Sequence, residues 1–158
     1  MMSVEIRRFQ VADAVPAAEM ISRTIQISNA ADYSAIYIAQ LIARISPSWL
    51  VQKAQATHFY VVIDGSRLIG TGAIGPYWNQ PNEYSLFTIF VDPEYQGRKI
   101  GQQIIHTLEN DVYFCQARRV EIPASKTARN FYLKMGYQVK NHQEVPDDEG
   151  LYRLEKWH

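Results

Sequence analysis

The apolar pattern of this chain changes period at one place, and that change limits what it can fold into. The segments "THFYVVID", "RLIGTGAIGPYW" and "EYSLFTIFV" are rich in β-branched and aromatic residues, as strands are. Asp64-Gly65 is a tight hairpin turn between the first two, and "NQPN" turns the chain again before the third. After Val91 the spacing switches. Ile100, Ile104, Ile105, Leu108 and Val112 then fall on one helical face. "RRVEIPA" returns to strand character. A strand, a helix and a strand between Phe87 and Ile122 imply a parallel pair joined by a right-handed crossover.

The flanks fit around this centre. "SVEIRRF" alternates as a first strand. Asp13 is expected to cap a helix carrying Val15, Ala18, Ile21 and Ile25. Asp32 is expected to cap a second, with Ile36, Ile38, Leu41, Ile42 and Ile45. Pro47 interrupts, and "SWLVQKAQ" reads as a short extra turn of helix. Ser125 is expected to cap a short helix with Ala128, Phe131, Tyr132 and Met135, ended by Gly136. "YQVKN" and "GLYRLEKW" are the last two strands. The expected fold is α/β of the α+β type. It has a central mixed, mostly antiparallel seven-stranded sheet with helices on both faces, in a single domain over residues 1–158.

Charge narrows the partners. Lys plus Arg and Asp plus Glu each total 16, so the net charge of zero gives no support for binding nucleic acid or a membrane surface. No apolar run approaches the ~20 residues of a membrane span. "MMSVEIRRFQ" lacks a charged-then-apolar leader, so a cytoplasmic location is expected. Cys115 stands alone, which excludes an intramolecular disulfide. No metal site is expected, because no spacing of His, Cys, Asp or Glu suggests one. His58, His106 and His142 are scattered.

The switch of period falls in "VDPEYQGRKIGQQII". A helix N-terminus that follows a strand has unpaired backbone N–H groups and a positive partial charge, which suits an anion. Gly97 lets backbone approach a bulky ligand, Arg98 and Lys99 add positive charge, and Gly101 leaves space in the first helical turn. A diphosphate suits such a loop.

Together with "EIPASKTARNFYLKMGY", this stretch resembles the two motifs of the GNAT superfamily of N-acetyltransferases. The first is Gln or Arg, two residues, Gly, one residue, then Gly or Ala, after a strand ending in Val-x-Pro. Gln96 and Gly101 match its ends. Lys99 stands where the family has its middle glycine, and Thr127 stands near where many relatives have a cofactor-binding Asn.

The resemblance implies direct transfer of an acetyl group from acetyl-CoA to an amine. It implies that Ile89, Phe90 and Val91 offer backbone groups to the pantetheine arm. Gln96, Gly97, Arg98, Lys99, Ile100, Gly101 and Gln102 would form the pyrophosphate loop. Tyr132 matches the tyrosine that protonates the departing sulfur and would also touch the cofactor. Glu83 is the candidate base and Glu121 its rival. Lys126 and Arg129 are candidates for the adenosine 3′-phosphate, against ordinary solvation.

The acceptor, a small-molecule amine or a protein amine, would meet some of Tyr33, Tyr37, Trp49, Tyr77, Trp78 and Tyr84. Asp147, Asp148 and Glu149 would attract a cationic acceptor or simply form a solvated loop. A cofactor-binding regulatory module without catalysis, or transfer of a longer acyl group, are the alternatives. An exposed strand edge and the aromatic N-terminal helices offer surfaces for a possible homodimer.

Overall fold

The computed structural model describes residues 4–158, so the first residue of the expected "SVEIRRF" strand lies outside the described residues. In chain order the elements are β1 (Val4–Arg8), α1 (Ala14–Ser28), α2 (Ala35–Arg44), α3 (Pro47–Ala56), β2 (His58–Asp64), β3 (Arg67–Pro76) and β4 (Glu83–Val91). Then follow α4 (Ile100–Glu109), α5 (Val112–Gln116), β5 (Arg119–Ala124), α6 (Arg129–Lys134), β6 (Gln138–Val139) and β7 (Tyr152–Trp157). Among the described residues the seven strands form one sheet in the order β1-β2-β3-β4-β5-β7-β6. Only β4 and β5 pair in parallel, across the α4 crossover.

The sheet separates two apolar clusters, because successive strand residues point to opposite faces. On one face Ile100, Ile104, Ile105 and Leu108 of α4 pack on Val62, Leu86, Val120 and Leu154, with Tyr132 of α6 beside them. On the other, Ala17, Met20, Ile21 and Ile25 of α1 and Leu50 of α3 cover Phe59 and Val61. Each of the Val, Leu, Ile, Met and Phe side chains among these stabilises the fold by roughly 1.5–3 kcal/mol when fully buried.

The local expectations need four corrections. Asp13 does not cap α1 with its side chain; it accepts from the Gln10 N–H and pairs with Arg7 at 2.8 Å. The cap of α2 is Ser34, which accepts from the Tyr37 N–H, whereas Asp32 accepts from Thr127. "SWLVQKAQ" is part of a ten-residue helix, because Ser46 caps it and Pro47 occupies its first position, where a missing N–H costs nothing. Val112 does not extend the α4 stripe: Asp111 stops and restarts the helix, and Val112 is exposed.

One irregularity positions everything that follows. β4 and β5 pair only at Glu83↔Arg119, Tyr84↔Val120 and Ser85↔Glu121, yet β4 runs on to Val91 and β5 to Ala124. Beyond Ser85 the facing edge of β4 has no strand partner. Opposite, the register of β4 with β3 shifts between Thr71 and Ala73. Thr88 takes a positive φ of 53° there, and its carbonyl accepts from Thr71 Oγ1 at 2.8 Å. Such a bulge bends and re-aims a strand.

Candidate active site

The free edge of β4 leads into a firmly anchored loop. Asp92, fully buried, follows the strand. It accepts from the Glu94 N–H at 2.9 Å, from Arg23 of α1 at 2.5 Å and from Arg67 of β3 at 3.1 Å. Burial pushes its carboxyl up, but the Glu94 N–H, Arg23 and Arg67 outweigh burial and hold it below the usual carboxylate range. A depressed folded pKa stabilises above the unfolded value and loses that contribution as pH falls through the folded one. Asp92→Asn is therefore expected to lower unfolding free energy by about 1–3 kcal/mol at pH 7. Urea melts of both proteins should begin to converge as pH falls below about 4, where the unfolded carboxyl protonates, and merge only below the depressed folded value. Equal gaps at pH 7 and pH 3 would rule out the charge as the cause.

Gln96 spends its side-chain amide within the protein, donating to Ser28 Oγ at 3.1 Å and to the Val91 carbonyl at 3.3 Å. It ties α1 to the end of β4 and engages both amide N–H bonds within the protein. Gly97 takes a φ of 82° in the left-handed region. Lys99 is also left-handed, at φ 64° and ψ 19°, on the exposed residue just before α4. A glycine would sit there freely, whereas an L residue is disfavoured by roughly 1–2 kcal/mol. Among the described residues, the backbone N–H groups from Gly97 to Gln102 donate to no protein acceptor. The loop thus keeps its donors although the family glycine is absent. Lys99→Gly is expected to raise the urea midpoint, with acetyl-CoA affinity changed by less than about tenfold. A larger gain in affinity would mean that the lysine obstructs the loop.

Gly101 makes room for protein rather than ligand: a Cβ there would lie 3.2 Å from the Phe131 ring of α6. That contact seats α6 on the first turn of α4 and brings Tyr132 beside it. Tyr132 is 5% exposed and burial pushes its phenol up, so it stays protonated. Its hydroxyl makes no hydrogen bond among the described residues.

The expected base is elsewhere. Glu83 accepts from Arg119 Nε at 2.9 Å, and it precedes Phe87 by four strand residues, roughly 13 Å. Glu121 is fully buried with Arg119 at 2.9 Å, Lys140 at 2.8 Å and Arg153 at 3.5 Å. Neither is a free carboxylate. Thr127 bonds Asp32 at 2.6 Å, so the α1–α2 connection docks where relatives carry the asparagine. Arg129 lies over the Tyr152 ring and its Nε is sealed without a partner, while Lys126 is exposed.

The aromatic candidates divide. Tyr33 and Tyr37 stack on each other, and Tyr77 lies under both Arg119 and Lys140. Trp78 is exposed, and Tyr84 stacks on Tyr113 over the α4–α5 face, away from Phe87. Asp147 is held by Arg153 at 2.9 Å. Sequence reasoning missed Arg23, Arg67, Lys53 and the Arg119 ion pairs, for no local pattern marks them. It also missed Asp92, although Asp before Pro is a turn signal.

A family profile described as acetyltransferase (GNAT) domain matches residues 55–139, over half of the chain. The chain belongs to the GNAT acetyltransferase family. No curated protein matches the sequence. Among solved structures, this GNAT chain is similar to the PaiA N-acetyltransferase of Thermoplasma acidophilum in complex with coenzyme A. The two are 22% identical with a TM-score of 0.85 over 99% of this chain and 100% of that one. The GCN5-related N-acetyltransferase from Rhodopseudomonas palustris is 21% identical, TM-score 0.79, covering 100% and 98%. An acetyltransferase from Streptococcus agalactiae is 14% identical, TM-score 0.75, covering all of both chains. At these identities the likeness shows a shared fold. Among the described residues no helix is long and apolar enough to cross a membrane, and no group of His, Cys, Asp and Glu could hold a metal ion.

Proposed function

We propose that this GNAT protein transfers the acetyl group of acetyl-CoA to the nitrogen of an amine, with Tyr132 protonating the departing sulfur. One observation carries the reading: the unpaired edge of β4 runs straight into a loop of unpaired N–H donors. The donors of residues 97–102 suit a pyrophosphate. The β4 edge at Ile89, Phe90 and Val91 suits the amide groups of pantetheine, paired like an added strand. With the pyrophosphate fixed past the end of β4, the arm runs back along the strand. The thioester then reaches the bulge at Thr88, next to Phe87.

The break between β4 and β5 opens to both faces of the sheet. Tyr132 belongs to the α4–α6 side, and Phe87 to the α1–α3 side. The amine enters from the second side and its lone pair attacks the thioester carbonyl carbon. A free N–H of β4 steadies the oxyanion. The carbon–sulfur bond then breaks and Tyr132 gives its proton to the thiolate. The ammonium proton leaves by water, since Glu83 and Glu121 are committed to cations.

Thiol release from acetyl-CoA with a panel of amines tests the reading. Cofactor binding with release no faster than background would favour a regulatory module instead. Melting with acetyl-, propionyl- and succinyl-CoA reports the acyl preference, since the tighter ligand raises the midpoint more.

A further inference from the structure

Most cations over the α1–α3 side of the β4–β5 junction are matched. Arg119, Lys140 and Arg153 each have a carboxylate within ion-pair distance. Lys53 is the exception. It lies in the last turn of α3, with its ammonium 3.6 Å from the centroid of the Phe87 ring and 5.7 Å from that of Trp49. Among the described residues neither it nor Arg44 has a carboxylate within 4 Å, and the charge that acts on Lys53 is Arg44 itself. Burial and that like charge both push the ammonium below its ordinary value. The ring contact offsets part of the cost, about 0.5–2 kcal/mol, but satisfies none of the three N–H donors. Phe87 directly precedes the Thr88 bulge, so this unmatched charge stands beside the place where the thioester would end. Arg44 lines a neighbouring cleft of about 270 Å³ with Tyr37, Gln40, Leu41, Asp148 and Glu149.

We propose that the acceptor amine carries an anionic group, a carboxylate in its simplest form, which Lys53 and Arg44 hold on the α1–α3 side of β4. This deepens the acetyl-transfer reading and rests on it for the position of the thioester. The anion completes the hydrogen bonding of Lys53 and relieves its repulsion with Arg44. The same two charges disfavour an ammonium nearby, which promotes the neutral, nucleophilic form of the entering amine. A polycationic acceptor would meet that repulsion at Lys53, which has neither Asp148 nor Glu149 of the Arg44 cleft within ion-pair distance.

Calorimetry on the whole chain with coenzyme A present tests the site through products, without needing turnover. The probes are N-acetylglycine, N-acetylleucine and N-acetylphenylalanine, each against its neutral carboxamide. At least one acid should bind tenfold or more tighter than its amide. Lys53→Met and Arg44→Gln should each remove most of that preference, and Lys53→Arg should retain it. Equal binding of acid and amide in every pair overturns the proposal, as does a preference that survives Lys53→Met. Thiol release separates the two readings. If neutral or polycationic amines outpace every carboxylate-bearing one, the anion site is overturned and acetyl transfer stands. If no amine releases thiol while the acid preference holds, acetyl transfer is overturned and the anion site stands.

Discussion

Tyr132→Phe should lower the turnover of acetyl transfer by about 10- to 100-fold while acetyl-CoA affinity stays within about threefold. General acids contribute 10²–10⁴-fold in typical enzymes. A thiolate, with a thiol pKa near 8.5, leaves more readily than an alkoxide or amide, so the lower end applies here. The substitution removes only a hydroxyl, which has no hydrogen bond among the described residues, so the fold should lose under about 0.5 kcal/mol. The ring stays packed against Phe131, 5.2 Å away between centroids, and keeps α6 in place. Burial raises the phenol pKa, and a raised value keeps the protonated donor in place as pH climbs. The wild-type rate should therefore show no fall near pH 10, where an ordinary tyrosine ionises. Single-turnover rates and cofactor titrations of both proteins check this. Unchanged turnover would remove Tyr132 from the chemistry, and a large loss of affinity would make it a binding residue.

The order of strands and helices was legible because each element carries its own period and its own turn residues. Gly65 of the Asp64-Gly65 turn and Gly136 sit where the pattern places them, both with positive φ. The end of β4 and the start of α4 were legible for the same reason. What local sequence misled about was caps. Asp13 and Ser34 lie near helix starts, and only the structure shows that Arg7 engages the first while the second does the capping. Partners distant in sequence left no trace at all: Arg23 meets Asp92 across 69 residues, and Lys53 finds the Phe87 ring on another element. In the sequence Lys99 stands where the family has its middle glycine. Its left-handed backbone shows that the conformation survived the loss of the residue best suited to it.

Arg119→Met should be the most destabilising single change in the sheet, by about 3–5 kcal/mol. Arg119 has a 6% exposed side chain and touches Glu83, Glu121 and Glu155, each at 2.9 Å. Burial pushes the guanidinium down, but those carboxylates more than reverse it, so it is charged at any pH of interest. Removing it takes from Glu83 and Glu155 the cation they pair with and leaves the buried Glu121 with Lys140 at 2.8 Å and Arg153 at 3.5 Å, so three crowded carboxylates share two cations, which is costly in a buried cluster. At this size 1 kcal/mol is worth roughly 2–4 °C, so melting should fall by about 10 °C or more. Arg67, 42% exposed and paired to Glu94 at 2.8 Å, sets the contrast. Losing the Glu94 pair alone, through Glu94→Gln, should cost under about 1 kcal/mol. Adding Glu121→Gln to Arg119→Met should recover part of the loss, because one of the three crowded carboxylates goes too. A loss below 1 kcal/mol, or no recovery in the double variant, would show that the cluster does not act as one unit. The site should register the change as well. Arg119 and Glu121 bound the paired stretch of β4 and β5, from Glu83↔Arg119 to Ser85↔Glu121, so the cluster fixes the point from which the two strands separate. Acetyl-CoA affinity should then fall in Arg119→Met even at temperatures where the variant remains folded.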